Sequence, residues 1–351
     1  MTGRFGIHTG CVGHGGVNAE MRWEGRNRGM ADFNGRYNLP AVLRRAGMKT
    51  ASISSFPDRH AAWWFNGGFD ETYNIGKRGL EPAHEVIPVA LDWLDRKRDT
   101  KDWFLHVHVW DPHIPYRTPT EYGEPFKDAP LPDPWMTQEI LDKHRATKPG
   151  GHSACEVTGY DNKPNPATPR QPEIKNTDDF RHMIDEYDTG IWYADKQLGL
   201  LFDKLREQEI YDDMAIIISS DHGEDLGEMG SYCEHGEADY ITTHIPLIIK
   251  WPGCAKNTVS HGFHYNLDLL PTLVDMGALA DDQIVAAAVL AGTHTVSVAF
   301  TIIHHRVGIA NHRVAGEGRN AAQQVYQGGQ QVQIVMEAMG HGVLGAAGPA
   351  V

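Results

Sequence analysis

The sequence predicts an α/β domain, a mainly parallel sheet covered by helices. Two observations predict it. From Leu39 to Ile249, short apolar runs alternate with helical patterns, the succession expected of strands joined by crossover helices. Two of the runs, Met214 to Ile218 (MAIII) and Ile245 to Trp251 (IPLIIKW), are apolar almost throughout, as strands buried on both faces must be. With 351 residues, 41% of them hydrophobic, there is material for one large domain or two smaller ones.

Each element follows from local signals. Leu39 to Ala46 reads as a helix, with Asn38 as cap, Pro40 in the first turn and Gly47 as the stop. Thr50 to Phe56 is the strand expected next, Val86 to Arg96 a helix, and Trp103 to Val109 (WFLHVHV) a strand. Between Pro115 and Pro172 lie 11 of the 20 prolines with no sustained period, so residues 115–176 read as a proline-rich insertion of the kind that carries function. A long helix follows. Phe180, Met183, Ile184, Tyr187, Ile191, Ala194, Leu198, Leu201, Phe202 and Leu205 recur at steps of three and four. Thr177 is its expected cap, with Asp178 and Asp179 at its positive end. Asp212-Asp213 reads as a turn before MAIII, and Asp268 to Met276 as a further helix. Beyond Ala278 the character changes: no Lys follows Lys256, no Trp follows Trp251, and strings such as AAQQVYQGGQQVQ have no period. Residues 278–351 therefore form either a variable subdomain or a tail foreign to the fold, expected to pack poorly.

Composition excludes some partners. A formal net charge of −14 argues against a generic grip on nucleic acid or anionic lipid, and any anion site must concentrate cations locally. The longest apolar stretch, Ile284 to Ile303, is mostly Ala and Val with Thr293, His294 and Thr295 at its centre, so no membrane span is expected. The start, MTGRFGIHTG, carries no apolar signal region, which leaves the cytoplasm as default compartment. Four cysteines without paired spacing fit reduced thiols. The oligomeric state is not legible.

Three stretches carry chemistry. Ser219-Ser220-Asp221-His222-Gly223-Glu224 follows the buried run MAIII, and ligands of open α/β sheets sit beyond the carboxyl ends of strands. A carboxylate beside an imidazole suits a divalent cation, though Asp221 could equally cap a helix and His222 stand exposed. In HVHVWDPHIPY, alternation sends His106 and His108 to one face, where packing is the favoured role. Asp111-Pro112 ends the strand and throws His113 toward the same crevice. The third stretch, Tyr232-Cys233-Glu234-His235-Gly236, lies on a loop before IPLIIKWPG, where His235 could meet an anion held near Asp221. Cys233 reads as a spectator.

Together these stretches resemble the sulfatase family. SSDHGEDLGEMG with a later basic residue and IPLIIKWPG is similar to the second half of its catalytic domain. WFLHVHVWDPHIPY resembles the strand ending in a sulfate-facing His, and DLLPTLVDM its D-x-x-P-T helix. NLPAVLRRAGMKTASI resembles an early segment, and the four motifs keep the family's order over residues 1–277. The resemblance implies a three-layer α/β/α fold of the alkaline-phosphatase-like type. It implies that Asp221 and His222 bind a divalent metal, usually calcium, and that His113 and His235 hold sulfate oxygens and assist the leaving group. Arg59 and His60 stand loosely where the family has a Lys and His that contact substrate, and Arg59 would be a permanent cation suited to an oxyanion; a surface pair is the alternative.

The sequence departs from the pattern at its start. Sulfatases carry C-x-P-S-R or S-x-P-S-R, whose first residue becomes formylglycine, and then T-G-R. Here Met1 is followed at once by Thr2-Gly3-Arg4, so the expectation is a partial catalytic domain over 1–277 that lacks the first strand, its metal-binding Asp pair and the nucleophile. Cys11, in GCVGHGG, is not a substitute. The intact relative would hydrolyse a small-molecule or glycan sulfate ester, whereas this chain alone is expected to be inactive. A phosphonate or phosphodiester hydrolase on the same scaffold, or a non-catalytic fragment, is the alternative.

Overall fold

The computed structural model describes residues 9–11 and 38–273, apart from 117, 131–134, 149, 158–171, 261 and 263, and the backbone of strands at 298–304 and 333–336. Helix α1 (Leu39–Arg45) starts where Asn38 accepts the Ala41 N–H at 2.9 Å. It is followed by Gly47 at φ +94, a conformation that favours glycine. Strand β1 is Lys49–Ile53, shorter than the expected Thr50 to Phe56. Phe56 and Pro57 open a short helix instead, α2 (Phe56–His60), with Pro57 in its first turn. After β2 (Glu71–Tyr73) comes α3 (Ala83–Arg96), which begins before the expected Val86. It has no local side-chain cap. Its Ala83 N–H donates to Asp111 Oδ1 at 3.1 Å, so a distant residue fixes its start. Strand β3 (Trp103–Val109) has the predicted bounds.

Inside the proline-rich insertion lies a helix the sequence pattern did not announce, α4 (Gln138–Thr147), capped by Thr137. The long helix α5 (Thr177–Glu207) is capped by Asn176 and not by Thr177, the Asp179 N–H donating to Asn176 Oδ1 at 2.9 Å. The Asp212-Asp213 turn is a 3-10 turn, followed by β4 (Met214–Ser219). A small hairpin, β5 (Asp225–Leu226) and β6 (Tyr232–Glu234), precedes α6 (Tyr240–Thr243) and β7 (Pro246–Lys250). Strand β8 (Thr258–Ser260) and helix α7 (Leu269–Leu273) follow, the latter inside the expected Asp268 to Met276, whose end lies outside the described residues. All four cysteines are free thiols. No helix among the described residues is long and apolar enough to cross a membrane; most of Ile284 to Ile303 lies outside them.

Eight strands form one sheet in the order β2-β1-β3-β9-β4-β7-β10-β8, where β9 is Val298–His304 and β10 is Gln333–Met336. Strands β1, β2 and β3 are mutually parallel, and β9 is antiparallel to both β3 and β4. Strands β3 and β4 therefore run the same way. They also end level, because Val109 faces Val298 and Ser219 faces the adjoining Ala299.

The three layers follow from period-two burial. Trp103, Leu105, Val107 and Val109 of β3, with Ile216 and Ile218 of β4, pack beneath α3 and α5 against Val86, Ile87, Leu94, Leu198 and Leu201. Phe104, Ile217, Leu247 and Ile249 turn to the opposite face, against Leu39, Val42 and Leu43 of α1 and Leu270 and Leu273 of α7. The insertion forms a third cluster, in which Ile114, Leu141 and Ile174 pack with Phe180 and Met183 of α5 and Tyr232 of the hairpin. It thereby braces the loops beyond the sheet's carboxyl edge.

Two predictions follow from this packing. A Cβ on Gly190 of α5 would lie 2.7 Å from the Asp111 carbonyl oxygen, a backbone atom that cannot swing aside. Gly190→Ala should cost about 1–3 kcal/mol, read as a lowered midpoint in denaturant. Removing residues 278–351 would strip β9 from between β3 and β4, leaving each with an unpaired edge. The shortened chain should aggregate in sedimentation velocity; one as soluble as the whole would place the tail outside the fold.

Candidate active site

Beyond Val109 the chain turns sharply, with the His113 N–H donating to Trp110 O at 2.9 Å. Trp110 and Asp111 are each 1% exposed. Beyond Ser219, the Gly223 N–H donates to Thr242 O at 2.7 Å. A Cβ on Gly223 would lie 2.3 Å from Ile241 O, so only glycine lets this loop dock on α6. The hairpin β5–β6 then brings His235 back to the same edge.

Three imidazoles meet there. The His222 and His235 rings are stacked at 4.2 Å and 13°, and His113 lies 4.9 Å from His235 between centroids. Glu224, which the sequence reading did not single out, organises them. Its Oε2 accepts from His235 Nδ1 at 2.9 Å and its Oε1 from the Tyr116 hydroxyl at 3.2 Å. Burial alone would lower the His235 pKa; the hydrogen bond and charge of Glu224, with help from Glu234, overcome it and leave the pKa raised. Burial, then Cys233 and Glu224, push the Tyr116 phenol well up, so it remains a donor. His113 Nδ1 bonds the Ile114 carbonyl and His222 Nδ1 the Gly223 carbonyl. When neutral, both rings therefore keep the lone pair on Nε2, the tautomer suited to a metal or a proton acceptor.

Arg59 and His60 end α2 beside this cluster. The Arg59 guanidinium stands 5.0 Å above the Trp110 ring and donates to Arg78 O at 3.2 Å. Trp110 meets His113 edge-on at 5.4 Å. The indole is itself fixed, its Nε1–H donating to Ser55 Oγ at 3.0 Å while Ser55 bonds the buried Glu81. The Arg59 charge reaches His235, where it opposes protonation. His60 is further out, 6.2 Å from Trp110 and 4.7 Å from Phe56. His106 and His108 belong to the packing: they are 3% and 2% exposed and pair with Ser52 of β1 and Ser54 just beyond it at 2.9 and 2.6 Å. Burial pushes the His106 pKa down to about 3, which keeps it neutral. Burial raises the pKa of the Cys11 thiol, which makes it a poor nucleophile.

His222, Glu224 and His235 each offer a ligand atom within 4.8 Å of the others, a mixed nitrogen and oxygen set able to hold a divalent metal. Asp221 is not in that trio. It adjoins it, its Oδ1 accepting the His222 N–H at 3.1 Å. Sequence reasoning found His113, Asp221, His222 and His235 from strand ends, but missed Glu224, Tyr116, Trp110, Ser55 and Glu81. For Glu224 a signal was present, since it completes D-H-G-E.

A three-layer α/β domain with imidazoles, carboxylates and an arginine gathered at the carboxyl edge of its sheet has the alkaline-phosphatase-like architecture. The chain belongs to the sulfatase family, whose model, described as Sulfatase, matches residues 1–278. It is 26% identical over 245 residues to a choline-sulfatase of Rhizobium meliloti, covering 65% of this chain and 43% of that protein. It is 31% identical over 202 residues to the multifunctional alkaline phosphatase superfamily protein PehA of Trinickia caryophylli, covering 53% and 36%. Human iduronate 2-sulfatase is 27% identical over 193 residues, covering 50% and 31%. The chain thus spans less than half the length of these relatives. Among solved structures, the phosphonate monoester hydrolase SpPMH from Silicibacter pomeroyi superposes with a TM-score of 0.55 at 18% identity, over 78% of this chain and 62% of that one. That likeness concerns the fold.

The Glu224–His235 pair generates a prediction. Because the folded pKa of His235 is raised, the pair's stabilisation is full below the ordinary histidine range. It fades as pH climbs through the folded value. Glu224→Gln should shift the His235 titration downward, measured by NMR of the imidazole in chelator, and should flatten the loss of stability above neutral pH.

Proposed function

We propose that these residues form the metal- and oxyanion-binding part of a hydrolase that cleaves sulfate esters. Asp221 and His222 are assigned as metal ligands, with Glu224 as a further donor. His113, His235, Arg59 and His60 are assigned to the sulfate. The observation that carries this reading is the convergence of His113, His222 and His235 on one point, with Glu224 hydrogen-bonded to His235 at 2.9 Å. Family membership supports it.

A bound divalent cation, calcium in this proposal, would neutralise charge on the sulfate oxygens. The protein groups complete that neutralisation. His235, protonated and backed by Glu224, donates to a sulfate oxygen or to the departing alkoxide. Arg59, 5.0 Å over the Trp110 ring, adds a charge that no accessible pH removes. His113, with Nδ1 tied to Ile114 O, offers Nε2 to move a proton. No nucleophile is assigned, since the 351 residues contain neither C-x-P-S-R nor S-x-P-S-R and Cys11 is buried. The substrate is a small-molecule or glycan sulfate ester. Phosphonate or phosphodiester cleavage on the same scaffold is the second reading, and it fits similarity to a protein described as a multifunctional member of the alkaline phosphatase superfamily.

The test assays the chain against an aryl sulfate, an aryl phosphonate and an aryl phosphodiester, with calcium and with manganese. A version extended upstream to supply [CS]-x-P-S-R runs beside it. The 351-residue chain should show no metal-dependent turnover, since loss of a nucleophile costs around a millionfold. The extended form should favour the sulfate, and His235→Ala should lower its kcat by about 10²–10⁴-fold. Turnover by the short chain that Cys11→Ser abolishes would overturn the assignment.

A further inference from the structure

The segment that carries His235 also carries a second acidic group, separate from the imidazoles. Asp225, Glu237 and Asp239 each place an oxygen within 4.8 Å of the others. Asp225 is 0% exposed. Its Oδ1 accepts from Gly227 N at 2.9 Å and Met229 N at 3.3 Å, whereas its Oδ2 is buried with no hydrogen-bond partner among the described residues. Asp239 repeats the arrangement. Its Oδ1 caps α6 by accepting the Thr242 N–H at 2.8 Å, and its Oδ2 is likewise buried without a partner. Glu237, on the exposed side, accepts from Ser231 Oγ at 3.3 Å.

Buried carboxylate oxygens normally find a donor, because leaving one unmet forfeits its hydration without return. Here the surroundings add charge of the same sign. Glu228 faces Asp225, and burial with that neighbour pushes the Asp225 pKa up to about 6 against the two backbone donors. A bond between those two carboxyls would need a shared proton. The nearby cation, Lys148, donates to Ser231 Oγ at 2.6 Å. None of the three carboxylates has an ion pair among the described residues.

We infer that Asp225, Glu237 and Asp239 form a second cation site for a hard divalent ion of the calcium type. The donors are all oxygen, the set such ions select, and water and backbone carbonyls can complete the six to eight ligands usual for calcium. The first site, which includes the His222 imidazole, has a different chemistry. The ion would tie β5 to the loop after His235 and to the cap of α6. Thr242 of that helix donates to Glu237 O at 2.6 Å and accepts from Gly223 N at 2.7 Å, so the second site would brace the backbone on which His222 and His235 stand.

The test uses the whole 351-residue chain carrying Asp221→Asn and His222→Ala, which removes ligands of the first site. Terbium serves as the probe, with tyrosine excitation, because the Tyr232 hydroxyl feels the Asp225 charge and the ring can sensitise emission. One terbium per chain should bind and be displaced by calcium. Adding Glu237→Gln with Asp239→Asn should weaken binding by about tenfold or more with an unchanged circular dichroism spectrum. Glu237 is exposed and asparagine at 239 keeps the cap, so both changes spare the fold. Absence of terbium emission from the first-site variant, or binding that the second pair leaves unaltered, would overturn the inference.

Discussion

Two strands that run the same way and end level place the three imidazoles of the candidate site. Strand β9 pairs with β3 and β4, and its first two residues face their last ones. The two exits are therefore two strand spacings apart, about 10 Å. Short turns close most of that gap. One extends four residues from Val109 to His113 and the other three from Ser219 to His222, and the hairpin at β5–β6 supplies His235 between them. Had one of the strands run the other way, its exit would open at the far edge and no loop of this length could bring the imidazoles to 4.9 Å. The close contacts at Gly190 and Gly223 belong to the same constraint, since both turns are pressed onto helix backbone where a methyl group would clash.

The electrostatics resolve a conflict that net charge alone poses. A chain with a formal charge of −14 gathers cationic side chains at one edge, and the local device for it is itself an acid. Glu224 is buried, and its two oxygens accept from His235 and Tyr116, where weak screening makes its charge effective. Burial opposes a proton on His235 and so does Arg59, yet Glu224 prevails. The balance favours the proton on His235, while Trp110 accepts Arg59 on its face and presents an edge to His113. Cation–π contact with the indole face favours a charged guanidinium at that position.

What was legible in the sequence was whatever a single element settles by itself. Strand β3 had its predicted bounds because seven apolar-compatible residues are closed by Asp-Pro. Helix α1 was readable from cap to stop because Asn38, Pro40 and Gly47 each act within one turn. The start of α3 was not, since its cap is Asp111, 28 residues further on. Helix α4 escaped because only Leu141 of its ten residues is buried, leaving no apolar period. The candidate site divides the same way. His113, Asp221, His222 and His235 were visible as strand-end residues, whereas Glu224 acts through Tyr116, 108 positions away, and Trp110 through Ser55 and Glu81. Partners of that kind exist only after the sheet forms.

The binding and chemical parts of such a site are held by different contacts. Among the described residues, several contacts fix the three imidazoles, Arg59 and Glu224: the Ile114 and Gly223 carbonyls, the Tyr116 hydroxyl, the Ser55–Glu81 support of Trp110, and the dock of Gly223 on α6. None of these contacts needs a nucleophile to be present. Electrostatic stabilisation of an anion depends on charges being fixed before it arrives, and here they are fixed by neighbours in the fold. The positive cluster is therefore a property of the scaffold. A nucleophile supplied to this edge would enter a field that contacts within the fold have already fixed.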